Sequence, residues 1–154
     1  MEENVAFENF EMRLNETAKG FLKETAKWAY FLSILGYIGI GFIVIAAIFA
    51  GTIFTAMGNM GGHMGSIGAF GGTFIMLLYL AIGIVYFFPI YYLNKFASNL
   101  KVALKNNNTD SLTVSLGYLK SHYKFIGIMM LVMFAIYALV FVFAILAALT
   151  AFAS

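Results

Sequence analysis

The 154-residue chain contains no cysteine, a single proline (Pro89) and two histidines, and residues 28–94 and 125–154 hold no Asp, Glu, Lys or Arg at all. Without cysteine, disulfides and thiolate chemistry are excluded and the redox compartment is unreadable. Only 10% of residues are charged and 62% are hydrophobic, against about a quarter charged in ordinary water-soluble domains. All nine Lys/Arg and all seven Asp/Glu fall in two segments, 2–27 and 95–124. Such segregation is expected when the solvent changes along the chain, because a charge at the centre of a bilayer is costly.

Catalytic signatures are missing as well. There is no Gly-rich phosphate loop with its lysine, no H-E-x-x-H and no G-x-S-x-G. Neither an enzymatic activity nor a cofactor is therefore expected. The first apolar run begins at Trp28, behind a long mixed-charge stretch, and is too long for a signal-peptide core; it reads as a retained anchor.

What is present is length of apolar text. A membrane-crossing helix needs about 20 apolar residues, and three runs qualify, at 30–54, 71–93 and 125–149. Backbone groups in lipid must bond within their own segment, so these runs are expected to be helical. Pro89 is expected to bend the inner end of the second. No ionisable side chain lies inside any of the three, so a proton relay or coupled-ion site would lack its usual groups. The lysines give the orientation by the positive-inside rule. Arg13, Lys19, Lys23 and Lys27 precede the first span, and Lys95, Lys101, Lys105, Lys120 and Lys124 separate the second and third, whereas 57–70 and 150–154 carry no Lys or Arg. The N-terminus is read as cytoplasmic and the C-terminus as outside.

One phrase occurs twice: "GFLKETAKW" at 20–28 and "GYLKSHYKF" at 117–125. Each enters a span from the lysine-rich side. Lys23/Lys27 and Lys120/Lys124 are i,i+4 pairs whose stems can snorkel to lipid phosphates, preceded on the first copy by Lys19. Trp28 and Tyr123, with Tyr30, Tyr118 and Phe125, supply aromatics at the same depth. Two readings stand side by side. Helices crossing one interface converge on similar collars, or the chain carries an old duplication with pseudo-symmetric packing. Anionic membrane lipid is the partner these lysines fit; nucleic acid is not expected.

The charged segments have helical stripes of their own. Phe7, Phe10, Leu14, Ala18, Phe21, Thr25 and Trp28 recur at spacings of three and four, predicting an amphipathic N-terminal helix over 5–28. Leu93, Phe96, Leu100 and Leu104, then Leu112, Leu116, Leu119 and Tyr123, predict a helical hairpin at 94–124, broken by "NNNTD" (106–110) with Thr109 or Asp110 as N-cap. Segment 1–27 is net −2 and segment 95–124 net +4. The N-terminal helix is expected either to dock on the hairpin or to lie flat on anionic lipid.

The connection "MGNMGGHMGSIGAFGG" (57–72) has seven glycines and reads as a flexible outer loop. Its Met57, Met60, His63 and Met64 offer thioether and imidazole ligands at spacings that suit a soft ion such as Cu(I); the competing reading is a loop whose methionines touch lipid. His122 reads as an interfacial residue rather than a catalyst. Gly36, Gly39 and Gly41 would let another helix approach closely, within one chain or in a homo-oligomer.

The stretches "FLKETAKWAYFLSILGYIGIGF", "NLKVALKNNN" and "SLGYLKSHYKFIGI" resemble a family of small bacterial inner-membrane proteins known only as a domain of unknown function. The resemblance covers most of residues 14–130 and implies a small helical membrane domain, with no activity or site residues to carry over; the Met/Gly loop is not part of it. The expectation is thus a single all-α integral membrane domain. Its parts are a cytoplasmic amphipathic helix (1–27), three spans (30–54, 71–93, 125–149), an outer loop (57–70) and a cytoplasmic hairpin (94–124). Its expected role is that of a scaffold or interaction component, the alternative being a small transport or channel component that handles a soft metal.

Overall fold

In a computed structural model the described residues, 15–60 and 65–153, form three long helices. Helix α1 is Glu16–Met60, α2 is Gly65–Asn106 and α3 is Thr109–Ala153. They contain 45, 42 and 45 residues. At a rise of 1.5 Å per residue each is roughly 65 Å long, about twice the ~30 Å hydrocarbon layer. All three are long and apolar enough to cross a membrane. The protein is all-α, as the apolar runs predict.

The helices are longer and fewer than the sequence suggests. Each span is continuous with its charged extension. Residues 16–27 are the first turns of α1, and the hairpin arms are the end of α2 and the start of α3. A helix end leaves four backbone donors or acceptors without partners. Nothing at 28–30 or 124–126 offers a cap, and Asn94 directs its side chain to Ser33 on α1 instead of to a helix end, so continuing the helix is the cheaper course. The same logic shortens the outer connection. Met57–Met60 complete α1 and Gly65–Phe70 begin α2, so these parts of 57–70 are helical; residues 61–64 lie outside the described residues. Glycine costs a helix about 1 kcal/mol relative to alanine, less than an unsatisfied backbone group costs in lipid. At the other end α1 does not run on from residue 5. Asn15 lies outside it and accepts a hydrogen bond from the Ala18 amide at 2.7 Å, an N-cap. The remainder of the 5–28 stripe lies outside the described residues.

The hairpin turn is made by two asparagines. Asn107 has φ 48°, the left-handed conformation asparagine tolerates, and the Asn108 amide donates to the Ala103 carbonyl at 3.1 Å. That closes α2 in a Schellman arrangement. Asn108 then accepts from the Ser111 amide at 2.8 Å, so it, and not Thr109 or Asp110, caps α3. Asp110 falls in the first turn, where the helix dipole favours an acid.

Helix α2 is central, packing along α1 and, near the hairpin, along α3. The buried core lies at the lysine-rich end: Ala26, Ala29, Phe96, Ala97 and Leu100, covered by Leu22, Leu104, Leu112, Tyr118 and Leu119. Further out α1 and α2 stay together through glycine. A methyl group on Gly51 would come 2.9 Å from Met76 Cβ, and one on Gly72 would strike the Gly51 carbonyl and Thr55. By contrast α3 parts from its neighbours, and residues 130–150 are all exposed.

Of the three glycines singled out for packing, Gly36 faces Ile90, whose Cγ1 would lie 2.8 Å from a methyl group placed on it, whereas Gly39 and Gly41 face open space. Gly72→Ala should therefore lower the thermal midpoint of the protein in micelles, by overpacking worth about 1–3 kcal/mol. Gly39→Ala and Gly41→Ala should leave it unchanged or slightly raised. Thermal unfolding followed by circular dichroism makes the comparison.

Candidate functional site

The side chains with polar chemistry converge at the lysine-rich end, where α2 packs against both of its neighbours. Three ties that cross between helices lie there. Lys101 of α2 places Nζ 3.9 Å from the ring centroid of Tyr30 on α1, a cation–π contact. One turn along, the buried Ser33 hydroxyl donates to the Tyr30 carbonyl at 2.7 Å and accepts from Asn94 Nδ2 at 2.9 Å. On the opposite side of α2, His122 Nδ1 is 2.8 Å from the Pro89 carbonyl oxygen. A carbonyl can only accept, so Nδ1 carries the proton. Beside this bond the Phe88 and Phe125 rings meet at 6.0 Å.

None of these ties stands out as a motif. Tyr30 and His122 read from sequence as interfacial residues, and their cross-helix partners are 71 and 33 positions away. The one available signal is the presence of Ser33 and Asn94, isolated polar residues at the inner ends of two apolar runs.

The lysines and aromatics assigned to the interface are all at this end. Lys19 pairs with Glu16 at 2.9 Å, one turn apart. Lys23, Lys27, Lys120 and Lys124 are exposed. Trp28 (60% exposed) sets its ring edge-on to Phe31 at 6.0 Å, and Tyr123 is 65% exposed. The two copies of the repeated phrase flank α2, yet they are not packed alike. Phe21 and Trp28 are exposed, whereas Tyr118 and Phe125, their counterparts, are half-buried.

Between the two copies runs an open groove of about 400 Å³. Phe21, Trp28 and Leu32 form one bank, Leu119 and Tyr123 the other, and Phe96 part of the floor. The groove is predominantly apolar, with Glu24 and Thr25 at its edge.

Met57 is exposed in the last turn of α1 and Met60 ends that helix. His63 and Met64 lie outside the described residues.

Replacing Tyr30 by Phe should preserve the Lys101 contact, because the ring face remains. Tyr30→Leu should lose about 0.5–2 kcal/mol. Thermal midpoints of the two variants, each with and without Lys101→Met, give the coupling; the Lys101 change should be silent in the Tyr30→Leu background.

No protein-family model, curated protein or solved structure matches this chain.

Proposed function

We propose that the chain is a non-enzymatic, multi-pass protein of the bacterial inner membrane that acts as a scaffold or interaction component through its cytoplasmic helix ends. In this reading the N-terminus is cytoplasmic and the C-terminus outside. Lys19, Lys23, Lys27, Trp28, Lys120, Tyr123 and Lys124 meet anionic lipid, and the bare outer half of α3 supports self-association. The observation that carries the reading is the gathering of the polar ties, the core and the lysines at one end of three otherwise apolar helices. A surface of that kind offers contact, not a reaction centre. The resemblance to small inner-membrane proteins agrees with the location.

The competing reading is a transport or channel component, with the outer Met/His set as a soft-metal site. Reconstitution into anionic liposomes separates the two. The scaffold reading predicts potassium and cuprous-ion leakage equal to that of protein-free vesicles; protein-dependent flux of either ion would replace it by the channel. A reporter fused after Ser154 that is active only outside the cytoplasm tests the orientation, and cytosolic activity overturns it.

A further inference from the structure

We infer that the lysine-bearing face near the start of α1 is the binding site of a single phospholipid with an anionic, hydroxyl-bearing headgroup, the chemistry of a phosphatidylglycerol. This rests on the reading that the lysine-rich end meets anionic lipid, and narrows it to one place. Gly20, Lys23, Glu24, Lys27, Trp28 and Phe31 recur at helical spacings and line an open concavity of about 670 Å³. It lies on a different face of α1 from the groove beside α3 and shares only Glu24 and Trp28 with it. Along its length, roughly 16 Å from Gly20 to Phe31, the charged side chains come first and the aromatic ones last. A phospholipid standing in a leaflet has the same order, phosphate outermost and acyl chain innermost.

The charges fit that headgroup. Among the described residues the one ion pair is Lys19–Glu16, so Lys23, Glu24 and Lys27 line the concavity without an ionic partner of their own. Lysines four apart start from Cβ atoms about 5–6 Å apart, and their flexible stems can bring two ammonium groups to one phosphate. The ionised Glu24 carboxylate only accepts hydrogen bonds, and headgroup hydroxyls supply the donors it takes. Two lysines and one glutamate leave the site net +1, which a headgroup with one negative charge neutralises. At the inner end the exposed Trp28 and Phe31 rings meet edge-on at 6.0 Å and offer an apolar ledge to the first acyl carbons. A methyl group placed on Gly20 would meet nothing within 4 Å, so the outer rim is open to the headgroup. The second copy of the phrase keeps Lys120 and Lys124 but not the rest. Ser121 stands where Glu24 does, and Phe125, the counterpart of Trp28, is half-buried against Phe88. The site is therefore assigned to α1 alone.

Trp28 is the only tryptophan and lies in the site, so its fluorescence reports occupancy. The full-length protein is reconstituted in phosphatidylcholine vesicles with a minor share of phosphatidylglycerol or phosphatidylethanolamine, brominated on the acyl chains near the glycerol. The brominated phosphatidylglycerol should quench Trp28 severalfold more than the phosphatidylethanolamine at the same share. Lys23→Met with Lys27→Met should abolish that excess, and Lys120→Met with Lys124→Met should leave it. These four lysines are exposed, so the variants should keep the circular dichroism of the parent. Glu24→Leu gives the sharpest contrast, because it makes the face more positive while removing the acceptor for the headgroup hydroxyls. The site predicts a smaller excess in that variant, whereas a diffuse lysine collar predicts a larger one. A larger excess, or one that falls equally with either lysine pair, would overturn the site and leave the collar on anionic lipid. Equal quenching by the two lipids in the unaltered protein would overturn the collar reading together with the site. Stronger quenching by phosphatidylethanolamine would overturn the site in favour of a zwitterionic headgroup.

Discussion

All the charged side chains of this protein fall in two segments, 2–27 and 95–124, and much of the rest of the architecture follows from that. Apolar surface is driven together by the hydrophobic effect only where the alternative is contact with water. In hydrocarbon a leucine gains little by leaving lipid for another leucine. The buried core accordingly lies beside the lysines, where Phe96 and Leu100 are fully covered, each such side chain contributing about 1.5–3 kcal/mol. Beyond it, helices remain in contact only where something other than hydrophobicity holds them. For α1 and α2 that is close backbone approach at Gly51 and Gly72, which gains dispersion contacts that bulkier residues would prevent. Helix α3 has no such surface facing its neighbours and diverges after Phe125.

The three polar ties mark the border between these regimes. Tyr30–Lys101, Ser33–Asn94 and His122–Pro89 occur where α1, α2 and α3 pass from the water-facing core into the apolar part. The buried Ser33 hydroxyl gains a second partner from Asn94, whereas Lys101 and Tyr30 meet at the exposed rim. Together the three ties fix the register of α2 against both neighbours at a depth where neither medium alone would do so.

The number of spans and their all-helical nature are legible because composition changes abruptly at residues 28, 95 and 125. Helix ends are harder to place. A charged amphipathic stretch and an apolar span obey the same 3.6-residue period, so nothing in the pattern announces whether they form one helix or two. The continuity of α1 through Lys27–Tyr30 is decided by the absence of caps. The glycines of 57–72 suggest a loop under aqueous propensities, yet backbone satisfaction favours helix for most of them. In the NNNTD break the position of the turn is evident, but its cap is not. Choosing Asn108 over Thr109 depends on Asn107 adopting the left-handed conformation first. Gly39 and Gly41 resemble Gly36 in sequence and differ only in the direction they face. Long-range partners such as Lys101 for Tyr30 leave no trace in local spacing.

The central claim is that the charged end of the molecule lies in water and the apolar middle of each helix in lipid. It is tested most directly by single cysteines at Asn107, in the hairpin turn, and at Leu139, on the bare part of α3. The protein is held in sealed membrane vesicles with the inner leaflet outward and treated with a membrane-impermeant maleimide. The account predicts rapid modification at position 107 and none at position 139 until the membrane is dissolved. Equal modification of both positions in intact vesicles would contradict it.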